Sequence, residues 1–551
     1  MKLSQTVAGQ IGKTLAELGA RHCFGVIGTA NFKITHALID SGVRYVAARH
    51  EGNAATMADA YAKATGELTL LSVHSGPGLT NALTGIGEAA KSRTPLLVLA
   101  GDAPVGAVTS NFYFDQAAMA RSVGAVAERV YSARTALNDA VRAATRAMRD
   151  RQTVVLSLPI DTQDEMIPDG IVAPMPPAPI PPIVPDSKAI ERLVDAILQA
   201  KRPAILAGRG AVIAEAEDAL VELGDRIGAV LTTTVCGHGL FNGNPWTVGI
   251  CGGFSSQFAA QLIAQSDLIL GFGATFTQWT TRMGRMITPN SILAQIDVDA
   301  CRLGMQRPVQ YAIQGDARAT CQAILDTLDI RQTGRALSGW RSESLRREIA
   351  AGSNHNEVYD DQSNGRVIDP RTVSKAVDRI LPEDRLFASD AGHFMGWAPR
   401  YIRVPEPRAS CMSFSFQSVG LGMGSAIGLA ISQPERLTLL ASGDGGFFMA
   451  LADLETALRL GLRMCILVYD DEAYGAEVHR FRRDGLKVDM VQFPGADIVS
   501  VAKGFGARAI EVRKLDDMAP LEAWVKDGAP GVFVVDAKIC PDLEADYHKE
   551  M

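Results

Sequence analysis

Two acidic points near the C-terminal end of the chain could bind a divalent cation together with a diphosphate group. Asp444 lies in a Gly-Asp-Gly turn directly after the apolar run 437–442, and Asp471 closes an Asp-Asp pair directly after the apolar run 465–469. This order places both acids at the carboxyl ends of neighbouring parallel strands, where open α/β sheets bind ligands. Glycine lets the backbone approach an anion, and carboxylates with a backbone carbonyl suit Mg2+. The pattern therefore predicts a metal-diphosphate site.

This spacing resembles the signature of thiamine diphosphate (ThDP) enzymes, in which the closing pair is usually Asn-Asn or Asn-Asp. The Asp-Asp pair of this chain keeps the oxygen ligand and adds a charge. The resemblance implies that Asp444, Asp471 and the carbonyl of Ala473 are the protein ligands of Mg2+. It also implies that the cofactor lies against the following residues: Gly392, His393, Gln417, Val419, Gly443, Gly445, Gly446 and Tyr474. Two acids that merely occupy turns are the alternative, but further motifs of the same family occur elsewhere in the chain.

One such motif begins directly after the predicted strand 43–47. Its glutamate, Glu51, resembles the helix-start glutamate of ThDP enzymes, so the resemblance implies that it pairs with the aminopyrimidine ring of the cofactor. A carboxyl group at ring nitrogen N1′ favours the imino form of the 4′-amino group, which then deprotonates C2 of the thiazolium. An acid that only complements the helix dipole is the alternative.

The stretch 415–424 resembles the segment that supports the bent cofactor from below. Val419 falls where ThDP enzymes place a bulky apolar residue, usually Met, Leu or Ile. Valine is smaller but branched and stiff, so we expect it to keep this function. The resemblance implies that the carbonyl of Gln417 and the amide of Val419 bind the pyrimidine edge.

Four polar residues resemble substrate-side positions of different ThDP enzymes. His74 begins a His-Ser-Gly-Pro-Gly segment that resembles benzoylformate decarboxylase at its start and acetolactate synthase further on. Thr29 corresponds to a carboxylate-binding serine of decarboxylases. Gln116 lies in the segment that gives acetolactate synthases and benzaldehyde lyase a glutamine near the thiazolium. Glu477 matches a glutamate of pyruvate decarboxylases, whereas acetolactate synthases have an apolar residue there. Each could instead be structural, with the histidine capping backbone and the others hydrogen-bonded in turns.

The resemblance implies a ThDP- and Mg2+-dependent enzyme that acts on a 2-oxo acid or a 2-hydroxy ketone. His74, Gln116 and Glu477 together favour decarboxylation with carboligation, in which an enamine intermediate is protonated or passed to a second carbonyl. One alternative is a pyruvate oxidase-type enzyme with FAD on residues 187–345, although the glycine-rich turn 208–211 matches a dinucleotide loop incompletely. Another alternative is a catalytically silent cofactor-binding or regulatory subunit, against which the intact metal and glutamate motifs argue.

The elements that must position these residues alternate between apolar strands and helical patterns. The alternation predicts an α/β fold of three doubly wound parallel-sheet domains: pyrimidine-binding (1–172), central (187–345) and diphosphate-binding (367–551). A proline-rich linker at 173–186 and a polar linker at 341–366 separate them. Predicted strands lie at 23–27, 43–47, 68–73, 96–100, 203–207, 229–233, 268–271, 292–296, 386–389, 437–442 and 465–469.

Composition excludes several classes of partner. The chain has 551 residues and a net charge of −7 without a basic block, which argues against nucleic acid and anionic membranes as partners. Its 8 cysteines form no CxxC pair, and no signal-peptide or membrane-spanning apolar run occurs, so we expect a cytoplasmic protein. Because Glu51 and Asp444 lie in different domains, the resemblance implies that two subunits share each cofactor. A homodimer is then the minimum, and a homotetramer is common in the family.

Overall fold

The computed structural model describes residues 3–331, 339–352 and 356–550. The described chain contains three six-stranded sheets, and the paired strands within each of them are parallel. Helices flank the sheets, which confirms the predicted α/β class. Residues 1–2, 332–338 and 551 of the predicted domains, and 353–355 of the second predicted linker, lie outside the described residues.

The first sheet pairs its strands in the order β2-β1-β3-β4-β6-β5, so the strand order reverses between β1 and β3. Its strands are β1 (His22–Gly25), β2 (Arg44–Ala47), β3 (Thr69–Val73), β4 (Leu96–Asp102), β5 (Val126–Arg129) and β6 (Thr153–Pro159). Its helices are α1 (Val7–Glu17), α2 (Phe32–Asp40), α3 (Glu51–Thr65), α4 (Pro77–Lys91), α5 (Gln116–Ser122), α6 (Ala136–Arg149) and α7 (Ile160–Asp164). Strands β3, β4 and β6 are buried along their whole length, as expected when helices cover both faces of a parallel sheet.

The middle sheet has the order β12-β11-β10-β7-β8-β9, which is the order of doubly wound dinucleotide-binding folds. Its strands are β7 (Pro203–Ala207), β8 (Val230–Thr233), β9 (Thr247–Ile250), β10 (Leu268–Phe272), β11 (Ile292–Asp297) and β12 (Tyr311–Gln314). Its helices are α8 (Ser187–Gln199), α9 (Arg209–Ile213), α10 (Glu217–Ile227), α11 (Gln257–Ile263), α12 (Ala317–Arg331) and α13 (Glu343–Ala351).

The third sheet, β14-β13-β15-β16-β18-β17, repeats the connectivity of the first. Its strands are β13 (Arg385–Ser389), β14 (Ser410–Met412), β15 (Leu437–Gly443), β16 (Met464–Asp470), β17 (Arg508–Val512) and β18 (Val532–Lys538). Its helices are α14 (Pro370–Ile380), α15 (Ala398–Tyr401), α16 (Gly422–Ser432), α17 (Asp444–Met449), α18 (Leu454–Arg459), α19 (Gly475–Arg483), α20 (Ile498–Phe505), α21 (Ala519–Lys526) and α22 (Asp546–Lys549).

The two predicted linkers differ in the structure. Residues 173–186 contain no helix or strand, and most of them are exposed, as a proline-rich spacer should be. The polar segment 341–366, by contrast, contains helix α13. Its side chains Leu345 and Ile349 are buried in the core of the middle domain. The charged residues around these two side chains form the exposed face of an amphipathic helix, so this part of the segment belongs to the middle domain.

The first and third domains share one hydrophobic core because α3 and α16 pack at backbone distance. A Cβ atom at Gly424 would lie 2.7 Å from the carbonyl oxygen of Asn53, and one at Gly428 would lie 2.1 Å from that of Met57. Side chains from both domains, including Met57 and Ile427, belong to the same buried cluster. Glycine at these positions therefore lets the two helices approach as closely as they do.

Two findings bear on the expected environment of the chain. All 8 cysteines are in the described ranges and are free thiols, 6 of them buried, with Cys236 and Cys301 exposed. None of the helices that the structure describes has the length and apolar character needed to cross a membrane.

We expect Gly428→Ala to lower the melting temperature and the soluble yield, because the added methyl group would overlap the Met57 carbonyl oxygen. Overpacking of this kind costs about 1–3 kcal/mol. Scanning calorimetry at a fixed scan rate measures the effect. Gly504→Ala is the matched control, since a Cβ atom there meets nothing within 4 Å. Equal melting temperatures for the two variants would contradict the close approach of α3 and α16.

Candidate active site

The carboxyl ends of the neighbouring strands β15 and β16 bring two acids into one site. Asp444 begins α17 after Gly443, which occupies the N-cap position, and Asp471 directly follows β16. Burial, followed by the nearby Asp470 carboxylate, raises the pKa of Asp444 to about 7. Burial, followed by Asp444, raises the pKa of Asp471 well above its usual range. Because the carboxylates oppose one another's ionisation, a cation bound between them would relieve the repulsion.

A tight turn holds the Asp471 carboxylate in place. Glu472 has a left-handed φ of 56°, which is uncommon for a residue other than glycine. Oδ1 of Asp471 accepts a hydrogen bond from the Ala473 amide at 3.2 Å, and a Cβ atom at Gly475 would lie 2.3 Å from Oδ2. The Tyr474 amide donates to the Val491 carbonyl, and the Phe493 amide donates to the Glu472 carbonyl. These two hydrogen bonds join the turn to the segment 491–493. Neither of these two bonds uses the Ala473 carbonyl.

A cleft of about 400 Å³ opens beside Asp444 and Asp470. Pockets for small molecules typically measure ~300–1,000 Å³. Its lining includes Asp444, Gly445, Phe448, Met449, Tyr474 and Phe493. Within the described ranges, no group of three or more His, Cys, Asp or Glu side chains is arranged to hold a metal ion. A cation at Asp444 and Asp471 would therefore need further ligands of another kind, such as the Ala473 carbonyl and ligand oxygens.

Asp390, directly after β13, anchors the loop that precedes α16. Its two carboxylate oxygens each accept from the Gly420 amide at 3.0 Å. A Cβ atom at Gly446 would lie 2.2 Å from its Oδ2, so α17 approaches the same carboxylate from the other side. Burial raises the pKa of Asp390 to about 6, partly offset by the backbone amides that donate to it.

The anchored loop presents Gln417 and Val419. The Phe416 amide donates to the Glu88 carboxylate of α4 at 2.7 Å. The next residue, Gln417, has a left-handed φ of 59°. The side chain of Val419 remains 39% exposed. The loop is thus fixed at both ends while an apolar side chain projects from its middle.

His393 directs its ring toward the C-terminal segment. Its Nε2 accepts from the Ala545 amide at 3.0 Å, and the ring packs against that of His479 with centroids 4.5 Å apart. The Tyr547 hydroxyl donates to the Gly392 carbonyl at 3.4 Å. Burial, followed by His479, lowers the pKa of His393 well below its usual range. Because Nε2 accepts the hydrogen bond from Ala545, Nδ1 is the nitrogen of the neutral ring that carries the proton.

On the first sheet, Glu51 begins α3 directly after β2. The ring of His50 caps this helix, since its Nδ1 accepts from the Gly52 amide at 3.0 Å. The half-buried Glu51 carboxylate accepts from Nδ2 of Asn81 at 3.1 Å. Asn81 was not predicted from the sequence to contact Glu51, because the two residues lie 30 positions apart and the contact has no local signal.

His74 follows β3 and is close enough to Glu51 for their charges to interact. Its Nδ1 accepts from the Ala30 amide at 3.1 Å, which leaves Nε2 as the nitrogen that carries the proton. Burial lowers the pKa of His74, and Glu51 partly offsets this. The ring therefore caps backbone and can still donate through Nε2. Thr29, next to Ala30, is exposed in the turn after β1.

Two predicted site residues lie apart from this group. Gln116 is only 3% exposed, and both ends of its amide are engaged: Nε2 donates to the Gly101 carbonyl at 2.8 Å, and Oε1 accepts from the Ser157 hydroxyl at 2.9 Å. Glu477 is exposed in the first turn of α19. Burial, followed by the charge of Glu477, raises the pKa of Tyr547.

Three family models match the chain along its length. They are described as the N-terminal TPP binding domain (residues 5–120), the central domain (190–324) and the C-terminal TPP binding domain (390–537) of thiamine pyrophosphate enzymes. The chain belongs to the thiamine pyrophosphate enzymes. The N-terminal match includes Glu51 and His74, and the C-terminal match includes both acids of the β15–β16 site, so each half of the candidate site lies in a TPP binding domain.

Proteins similar to this chain are named for different activities. The catabolic acetolactate synthase of Raoultella terrigena is 28% identical over 98% of this chain and 97% of that protein. The acetolactate synthase large subunit of Haemophilus influenzae is 28% identical over 85% of this chain and 82% of that protein. The sulfoacetaldehyde acetyltransferase of Rhodobacter capsulatus is 27% identical over 98% of this chain and 95% of that protein. The three family models show the family, and relatives at this identity do not assign the reaction.

The raised pKa of the Asp444 carboxyl predicts that the stability of the cofactor-free protein depends on pH. An aspartate with a folded-state pKa of about 7 stabilises the fold while protonated, and this contribution is lost as pH rises from ~4, the unfolded value, through the folded value. We therefore expect the melting temperature in Mg2+-free buffer to fall between pH ~5 and ~8. Asp444→Asn should make this fall shallower, and exposed Asp527→Asn should not. Parallel profiles for Asp444→Asn and wild type would contradict the assignment.

Proposed function

We propose that the chain is a ThDP- and Mg2+-dependent enzyme that decarboxylates a 2-oxo acid and then protonates the intermediate or transfers it to a second carbonyl. The observation that supports this most is the pair of acids Asp444, which is buried, and Asp471, which is half-buried, in a TPP binding domain, where the pKa of each carboxyl is raised. Carboxylates whose ionisation is unfavourable without a counter-charge are suited to Mg2+.

In this proposal, Mg2+ is held by Asp444, Asp471 and the carbonyl of Ala473. The diphosphate lies along the turns that contain Gly443, Gly445, Gly446, Tyr474 and the backbone of Gly392 and His393. Gln417, Val419 and Glu51 contact the pyrimidine side. When bound, ThDP supplies a nucleophilic carbon that adds to the carbonyl carbon of the substrate. Glu51, whose half-buried carboxylate stands at the start of α3, would share a proton with the pyrimidine nitrogen.

The substrate-side residues have distinct proposed roles. His74 donates its Nε2 proton to the substrate carboxylate or to the developing alkoxide, while its Nδ1 stays bonded to the backbone. Thr29 binds the substrate carboxylate, and Glu477 transfers a proton at product release. Gln116 acts as a positioning residue, because its buried amide joins the Gly101 carbonyl of β4 to the hydroxyl of Ser157.

We further propose that a second copy of the chain completes each site, with a dimer as the minimum and a tetramer as the family precedent. Large apolar side chains remain exposed beside both half-sites: Phe32 (54%) and Tyr113 (50%) on the first domain, Met449 (55%) and Phe493 (46%) on the third. A partner surface that covers them would also exclude water from the cofactor. The cytoplasmic location and the exclusion of nucleic acid as a partner stay predictions.

The FAD-dependent alternative has one structural observation in its favour. Arg209, at the carboxyl edge of the middle sheet, is close enough to Arg151 for their charges to repel each other. Burial, followed by the neighbouring arginines, lowers the pKa of Arg151 to about 10. An anion such as the diphosphate of FAD would relieve this repulsion. The amides of Gly208 and Gly210, however, donate to the carbonyls of Phe272 and Gly273, so they are not available to phosphate oxygens. A flavin absorption spectrum of the denatured-protein supernatant would support this alternative.

A substrate panel tests the proposed reaction. It comprises several 2-oxo acids with and without an acceptor aldehyde, 2-hydroxy ketones, and sulfoacetaldehyde, with mass detection of CO2 and products. The proposal expects CO2 release from a 2-oxo acid that requires both ThDP and Mg2+. Turnover of sulfoacetaldehyde but of no 2-oxo acid, with inorganic phosphate supplied to take the acetyl group, would favour the acetyltransferase activity named for that relative. No turnover in any combination, with ThDP bound, would favour a silent cofactor-binding subunit.

We expect Glu51→Gln to keep ThDP binding but to slow exchange of the cofactor C2 proton by about 10²-fold or more, because an amide cannot share a proton with the ring nitrogen. NMR-detected exchange with deuterium measures the rate. Exposed Glu17→Gln in the same domain is the control. Exchange at the wild-type rate would remove Glu51 from the mechanism.

His74→Asn separates the capping and donating functions of the ring. The asparagine oxygen can replace Nδ1 as acceptor of the Ala30 amide, but no group then stands at the position of Nε2. We expect a melting temperature close to wild type, C2 exchange nearly intact, and turnover lower by about 10²-fold. His74→Ala should lose stability as well. Wild-type turnover in His74→Asn would limit the ring to a structural cap.

A further inference from the structure

Three buried charged side chains lie together on the neighbouring strands β16 and β18, next to the site of Asp444 and Asp471: Asp470, Asp536 and Lys538. Strands β16 and β18 pair with Asp470 opposite Lys538 and Val468 opposite Asp536. The Lys538 ammonium forms an ion pair with Asp470 Oδ2 and lies 3.2 Å from Asp536 Oδ2. Asp470 is 4% exposed, Asp536 1% and Lys538 8%. The single cation is thus held between two carboxylates inside the third sheet.

Asp470 connects this ion pair to the turn that carries the proposed metal ligands. While its Oδ2 binds Lys538, its Oδ1 accepts a hydrogen bond from the Glu472 amide at 2.9 Å. Glu472 is the residue with the left-handed φ, and its two chain neighbours are Asp471 and Ala473. Both oxygens of Asp470 are therefore engaged, one by the sheet interior and one by the backbone of the turn.

The charge of Asp470 needs this partner. The first position of the closing pair is usually Asn in the family, and an amide there could accept the Glu472 hydrogen bond without a charge. Aspartate adds a negative charge next to Asp444 and Asp471, at a place where an unpaired buried ion is strongly unfavourable. A neighbouring ammonium offsets the charge and reduces its repulsion of a bound diphosphate.

We propose that Lys538 is a positioning residue for the Mg2+-diphosphate site: its ion pair with Asp470 replaces the family's neutral amide and fixes the turn that presents Asp471 and the Ala473 carbonyl. The inference rests on the proposed function and adds to it a residue on another strand. It explains how this chain can carry Asp-Asp where the family pattern has Asn first.

A rescue experiment tests the pairing. Lys538→Met removes the ammonium and keeps most of the stem, Asp470→Asn restores the amide, and the double variant combines them. Because Asp536 also faces the ammonium, both the Asp470→Asn variant and the double variant carry Asp536→Asn, so that neither leaves a buried carboxylate without its partner. Exposed Lys526→Met is the control. Titration calorimetry gives the ThDP Kd at saturating Mg2+ and the Mg2+ Kd at fixed ThDP, and scanning calorimetry gives the melting temperature of the cofactor-free protein.

We expect Lys538→Met to weaken both ligands by about tenfold or more, since breaking a buried pair leaves an uncompensated charge. Asp470→Asn should stay within about threefold of wild type because its amide still accepts the turn hydrogen bond. The double variant should bind both ligands within about threefold of Asp470→Asn, since the need for the ammonium is gone. Rescue of ligand affinity by removing Asp470 distinguishes positioning from a general contribution of Lys538 to stability.

Two results would overturn the inference while leaving the proposed function standing: wild-type Kd values in Lys538→Met, or a double variant that binds about tenfold more weakly than Asp470→Asn. If Lys538→Met does not fold, the comparison of the double variant with Asp470→Asn decides the matter in the same way. A wild-type protein that binds no ThDP with Mg2+ would instead refute the proposed function, and the inference with it.

Discussion

The close approach of α3 and α16 is the constraint on which the arrangement of the site depends. Two glycines of α16 bring its backbone against the carbonyls of Asn53 and Met57, so the first and third domains have a common core. The N-terminus of α3 carries Glu51, and the loop before α16 carries Gln417 and Val419. A change in the distance between the helices would therefore displace residues of both half-sites, although neither helix lies at the β15–β16 acids.

Buried charge is the second theme of the structure, because most of the groups at the carboxyl edges are ionisable and poorly solvated. Backbone amides stabilise Asp390, a lysine stabilises Asp470, and an asparagine side chain contacts Glu51. The pKa values of Asp390, Asp444 and Asp471 are all raised, so burial outweighs the backbone hydrogen bonds at each of these three carboxyls.

The sequence allowed the three-sheet α/β fold and most interior strands to be predicted, because long apolar runs bounded by glycine and polar turns are typical of buried parallel strands. The strands β5, β9, β12, β14 and β17, which were not predicted, all lie at sheet edges. There one side of the strand is unpaired and polar residues replace apolar ones, so the pattern is weak. Strands β6 and β18 are interior and were missed despite their apolar runs. Helix α13 was hidden by its charged exposed face.

The same distinction holds for the site. Turn residues that directly follow predicted strands, such as Asp444 and Glu51, could be placed at the sheet edges from the sequence. Side-chain direction could not: Gln116 has its amide inside the first domain, and the ring of His393 faces the C-terminal segment. The role of Lys538 depends on the register of β16 and β18, which joins residues far apart in the chain and has no local signal.

The strand orders give the two outer domains one connectivity and the middle domain another. Duplication of one ancestral domain would leave two outer sheets of equal topology in this way. Glu51 lies in the first of these domains and the acid pair Asp444 and Asp471 in the third, so neither outer domain carries both halves of the proposed site. A shared backbone plan thus serves two different chemical tasks, set by the loops at the carboxyl ends of its strands.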